Sequence, residues 1–179
     1  MNMIKYIIFL ISLCNCTMGI GQVKSGWTVP RSEIPEKYKW DTHDIFVDND
    51  AWEREFQLLE ADLPGYEKYR ESLSSSAGIL LEGLKFDESI KKRLGYVGLY
   101  TKLHRDVDMS NAGYQERWER YKDLESRVNA ASAFLQPTLL MLSESQMDVY
   151  LEEEPALQIY QHYFEALALK RDHIPSPDR

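Results

Sequence analysis

The side chains best suited to acid–base or metal chemistry are four histidines, His43, His104, His162 and His173. Each has an acidic neighbour within three residues, His173 directly after Asp172. His43 stands between Asp41 and Asp44, His104 precedes Asp106 and Asp108, and His162 lies three residues before Glu165. An imidazole beside a carboxylate can ligate a cation or relay a proton near neutral pH. Each setting also has a plainer reading, and spacing decides between them.

In KYKWDTHDIF, Lys37 to Phe46, Asp41 is placed to cap or turn the chain while His43 points to solvent, and a metal there would need ligands from elsewhere. A calcium loop counted from Asp106 requires Gly at its sixth position and Glu at its twelfth, where Asn111 and Arg117 stand. His162 and Glu165 at i,i+3 read as a hydrated surface pair, and His173 sits in the polar terminal segment. A zinc hydrolase of the HExxH type needs a Glu directly after one His and a second His four residues on. His43 is followed by Asp44, His104 by Arg105, His162 by Tyr163 and His173 by Ile174, and no His has another four residues later. Neither a Gly-x-Ser-x-Gly elbow nor a Gly-rich phosphate loop occurs. Tyr114, Trp118 and Tyr121 could stack a ligand, but their helical spacing suits core packing better, and Glu152 to Glu154 reads as a solvated acidic turn. No catalytic, metal-ligating or cofactor-binding residue is therefore expected in this chain.

Composition narrows the partners. With 179 residues, 44% hydrophobic and 28% charged, the chain can bury one sizeable core. A net charge of -8 offers no electrostatic footprint for nucleic acid and repels an anionic membrane surface. Residues 1–21 read as a secretory signal peptide: Lys5, then the apolar run Tyr6 to Cys14, then small and polar residues up to Gly21. The run is well short of the ~20 residues a spanning helix needs, which argues against a transmembrane anchor. Both cysteines, Cys14 and Cys16, fall inside residues 1–21, so cleavage after Gly21 leaves no thiol nucleophile and no disulfide. Lipid attachment at Cys16 is the weaker alternative, because Asn15 fits poorly the small residue expected before a lipidated cysteine. The location expected is secreted or periplasmic.

The elements that would position these side chains are helical throughout. Residues 22–46 form an extended arm and lead-in motif, with Gly26, Pro30 and Pro35 and no sustained period. Trp40 and Phe46 are expected to anchor it, while Asp41 and Asp44 order the turn. From there, 47–179 forms the helical domain. Trp52, Phe56, Leu59, Leu63 and Tyr66 predict a first helix over about Ala51 to Ser72, opened by Asp48 and Asp50 and kinked near Glu60 to Leu63 by Pro64. Ser74 to Ser76 cap a short helix through Leu84, and Asp87 opens a second that runs to about Asp108. Asn111 starts what reads as the longest periodic stretch, from Tyr114 to Leu135, with its break expected at Pro137. Helices over about Ser145 to Glu153, capped by Ser143 or Ser145, and Pro155 to Lys170 complete an all-α set of antiparallel hairpins.

Five phrases, in order, carry a resemblance: RSEIPEKYKWDTHDIF (Arg31 to Phe46), AWEREFQLLEADLP (Ala51 to Pro64), YTKLHRDVDMSNAGYQ (Tyr100 to Gln115), ASAFLQPTLLML (Ala131 to Leu142) and YFEALALKRDHIPSPDR (Tyr163 to Arg179). The chain resembles the N-terminal region of the oligoendopeptidase F family of zinc metallopeptidases. The resemblance implies an all-helical lobe that folds over a deep channel and helps limit substrates to short peptides. It also implies that HExxH and a downstream Glu ligand, and with them the zinc, lie beyond this chain, and that His43 is not one of the ligands. Ser176-Pro177-Asp178 reads as an N-cap, Pro at N1 and an acidic first turn, a helix start one residue before the chain stops, as in a fragment. The expectation is a non-catalytic lobe that meets oligopeptide substrate only together with its catalytic lobe. The alternative is a stand-alone helical interaction module using an exposed apolar face.

Overall fold

The computed structural model describes residues 33–171. The leader, residues 22–32 of the arm, His173 and the Ser176–Asp178 helix start lie outside the described residues. The chain divides into two units between Lys39 and Trp40. Of the first, the described part includes a 3-10 turn, Glu36–Tyr38, whose Glu36 pairs with Lys39. The second carries the fold, and among its described residues the regular elements are all helices.

That unit opens with a turn in which the Ile45 and Phe46 N–H groups donate to the Thr42 carbonyl. Asp48 then caps helix α1, Asn49–Asp62, by accepting from the Ala51 N–H at 2.7 Å. Trp52, Phe56 and Leu59 recur at four and three residues, and all three are buried. Each such side chain contributes about 1.5–3 kcal/mol by leaving water. Pro64 acts as its chemistry requires: it cannot donate to the Glu60 carbonyl, so α1 stops at Asp62 and the chain tightens into a 3-10 segment, Leu63–Tyr66. A short α2, Glu67–Arg70, follows in place of a helix reaching Ser72.

Ser76 caps α3, Ala77–Val107, through the Ile79 N–H. This is one helix of 31 residues, not a short one followed by a second from Asp87. Asp87 does not cap, because its carboxylate already accepts from the Tyr66 phenol and from Lys91, both at 2.9 Å. Those partners let a poor helix former sit in a helix interior. Asn111 caps α4, Ala112–Ser132, as expected, but at 21 residues α4 is shorter than α3. The break falls at Ala133 and Phe134 rather than at Pro137. A proline denies a hydrogen bond to the carbonyl four residues earlier, which here is Ala133, and Pro137 itself sits in the first turn of α5, Leu135–Met141, where no donor is needed. Ser143 caps α6, Glu144–Glu153. The last predicted helix is a 3-10 segment, Pro155–Tyr160, leading into α7, Gln161–Arg171.

Side-chain contacts set the packing. Asn49 meets Tyr100, Trp52 meets Val97 and Tyr66 meets Asp87, so α1 and the segment after it run antiparallel to α3. Glu53 meets Arg120 and Glu60 meets Arg127, so α1 and α4 run parallel. His104 lies 5.3 Å from Tyr114 and Gly98 lies against Tyr121, closing the antiparallel α3–α4 hairpin. The core lies between these helices around Trp52, Leu59, Val97, Leu124 and Val128. Tyr150 then ties α6 back by donating to the Ser74 carbonyl at 2.8 Å.

Phe46 packs edge-on against Tyr100 at 5.6 Å and anchors the lead-in with Ile45. Trp40 does not: it is 71% exposed. The large apolar side chain that reads as an anchor in the sequence stands in solvent because the Thr42–Phe46 turn aims Ile45 and Phe46, not Trp40, at α3.

Candidate functional site

His43 closes a local turn. Its backbone N–H donates to Asp41 Oδ1 at 3.0 Å and its ring Nδ1 lies 2.9 Å from the same oxygen. The backbone N–H first, and the imidazole second, hold the Asp41 carboxyl below its usual range. The His43 side chain is 75% exposed and no second carboxylate joins it among the described residues.

His104 is part of the hairpin packing. Its Nε2 meets Thr42 Oγ1 at 3.1 Å and its ring sits between Tyr100 and Tyr114. Asp106 pairs with Lys102 on the outer face of α3, while Asp108 accepts from the N–H and hydroxyl of Ser110, which lowers its pKa. Residues 104–107 are helical, so the two aspartates do not share a loop. His162 lies 3.9 Å from Glu165 and is almost wholly exposed. Among the described residues no group of three or more His, Cys, Asp or Glu side chains could hold a metal ion, so they do not fit a zinc site. Tyr121 and Trp118 are half-buried at the helix interface with their rings 5.6 Å apart, as core spacing implies.

The charged residues near the core form structural ties. Arg120 grips Glu53 with two hydrogen bonds of 2.7 Å, which hold the Glu53 carboxyl below its usual range, and its guanidinium lies 4.5 Å over the Phe56 ring. Arg93 joins Glu55 and Asp62, about two turns apart on α1. Such pairs fix the register of α1 against α3 and α4.

What remains is a surface. Helices α5, α6 and α7 enclose a groove of about 850 Å³ that is continuous with solvent. Leu139, Leu142, Phe164 and Leu167 form its buried floor, and Met147 and Leu151 are half-buried along it. Glu144 and Asp148, one turn apart on α6, and Glu165 on α7 also line it. The sequence shows the apolar stripe of each helix but not that three stripes meet, because the turns at Leu142–Ser143 and Glu154–Pro155 set that. Among the described residues no helix is long and apolar enough to cross a membrane.

No family model matches the chain. The chain is 31% identical over 146 residues to oligopeptidase PepF of Bacillus subtilis, covering 82% of this chain and 22% of that one. It is 33% identical over 146 residues to group B oligopeptidase PepB of Streptococcus agalactiae, covering 82% and 24%. The crystal structure of oligoendopeptidase-F from Enterococcus faecium superposes with a TM-score of 0.66 at 28% identity, over 72% of this chain and 26% of that one. The chain thus spans about a quarter of the length of the curated relatives it matches.

Proposed function

The chain belongs to the oligoendopeptidase F family, and we propose that it is the N-terminal, non-catalytic helical lobe of a secreted or periplasmic zinc oligopeptidase that cleaves short peptides. The observation that carries this reading is the match itself: one helical unit, about a quarter of each relative, similar in sequence and in fold. Its role is to shape and enclose the space in which peptide meets zinc, and the zinc ligands belong to the remainder of the enzyme. The ion pairs near the core are consistent with that division, since Arg120 with Glu53 and Arg93 with Glu55 and Asp62 tie helices to one another. The apolar leader at Tyr6 to Cys14 supports export.

The test is direct. The purified chain is expected neither to hydrolyse oligopeptides nor to retain zinc in stoichiometric amount. Chelator-sensitive hydrolysis by a preparation free of contaminating peptidase overturns the reading. The α5–α7 groove favours a second reading, a stand-alone interaction module. The DNA downstream of the Arg179 codon separates the two readings. A sequence encoding HExxH there supports the lobe, and its absence supports the module.

A further inference from the structure

The groove between α5, α6 and α7 has a chemistry of its own. Its floor is apolar, and the charged side chains lining it among the described residues are all acidic: Glu144, Asp148 and Glu165. Glu144 and Asp148 have no ion pair among the described residues, unlike Glu53, Glu55 and Glu67, whose carboxylates meet arginines. Glu165 accepts from Gln161 at 3.0 Å and lies 3.9 Å from His162. Acidic walls thus stand on two helices, on either side of an apolar floor.

We propose that this groove docks an amphipathic helix with an apolar stripe and basic flanks. An extended strand is the poorer occupant, because the groove is built from helices whose backbone groups are paired internally, leaving no edge for strand addition. A helix needs only apolar anchors about one turn apart and flanking charges of opposite sign. Its length follows from the walls: α6 has 10 residues, about 15 Å, which accommodates roughly three turns. A second copy of this chain is disfavoured by charge. At -8 overall, with acidic residues on the groove itself, it brings like charges together.

The probes are two designed helical peptides with the same leucine stripe, one flanked by lysines and one by glutamates. Each is dye-labelled and titrated with the full chain by fluorescence anisotropy. The lysine peptide is expected to bind about tenfold or more tightly than the glutamate peptide, with the preference shrinking at high salt. The E144K/D148K/E165K variant is expected to reverse the preference. An E71K/E119K/E153K variant changes net charge equally at exposed sites that do not line the groove and is expected to retain it. E144Q/D148N/E165Q, checked by circular dichroism, abolishes the preference and serves if the charge reversal impairs folding.

Equal affinity for both peptides, no binding of either, or equal effects of the two lysine variants each overturns the proposal. So does a dimer in sedimentation that Met147→Ser abolishes, since the occupant is then a second copy.

Discussion

Trp52 tests the packing on which the lobe depends. It is 1% exposed where α1 meets α3 and α4, its ring lies 5.2 Å from Phe56, and the Arg120 guanidinium lies 5.3 Å from its ring centre. Its indole N–H donates to the Val97 carbonyl at 3.1 Å. Trp52→Ala removes the ring, which costs about 3–5 kcal/mol for a buried tryptophan. The lost hydrogen bond adds about 1 kcal/mol at most, because the Thr101 hydroxyl still donates to the Val97 carbonyl at 2.7 Å and leaves it satisfied. The expected loss is about 4 kcal/mol, a large share of the ~5–15 kcal/mol that holds a domain folded. Trp52→Phe keeps most of the apolar area and loses the bond, for about 2 kcal/mol. Urea unfolding followed by helical circular dichroism, which does not rely on the replaced fluorophore, reads both. The midpoint should fall with an unchanged slope. A loss below about 1.5 kcal/mol for Trp52→Ala refutes the placement of Trp52 at the helix crossing.

Three further outcomes use the same assay. Trp40→Ala is expected to change stability by less than about 0.5 kcal/mol because Trp40 is exposed, whereas Phe46→Ala, which removes the contact with Tyr100, should cost about 2 kcal/mol; the reverse order would show that Trp40 is the anchor. Gly98→Ala and Gly95→Ala should differ in sign. A Cβ at 98 would lie 2.5 Å from the Tyr121 ring, an overlap costing about 1–3 kcal/mol, while a Cβ at 95 meets nothing and gains about 0.5–1 kcal/mol of helix propensity. Glu53 supplies the pH dependence: its pKa is lowered in the fold by Arg120, so its contribution is present above the ordinary Glu value of about 4.3 and is lost as pH falls through the lowered one. Glu53→Gln should therefore flatten the decline in stability on acidification, and an unchanged acid limb would mean that the pair contributes nothing.

Helix caps were the most legible features in the chain. Asp48, Asn111 and Ser143 each accept from the backbone N–H three residues on, because capping needs only a short polar side chain at the right offset. The α1 stripe was equally clear, since Trp52, Phe56 and Leu59 repeat at the helical period. Two boundaries were not legible. At Asp87 a capping residue stands inside a helix because its carboxylate is engaged by Tyr66, 21 residues away in sequence. At Ala133 the break precedes Pro137 by one turn, at the carbonyl the proline leaves without a donor. The histidine settings were read correctly at His43, whose turn involves only its neighbour Asp41. The packing partners of His104 lie beyond local reading, because Thr42 and Tyr114 reach it from other parts of the chain.

By itself the sequence determined the helical class, the caps and the likeness to oligoendopeptidase F, all of which depend on residues within a few turns of one another or on their order along the chain. Only the tertiary structure decided that Trp40 is exposed, that α3 is one helix, and that three short apolar stripes meet in an acid-lined groove. Each of those outcomes depends on which helix faces which, and that is set by long-range contacts that no local period encodes.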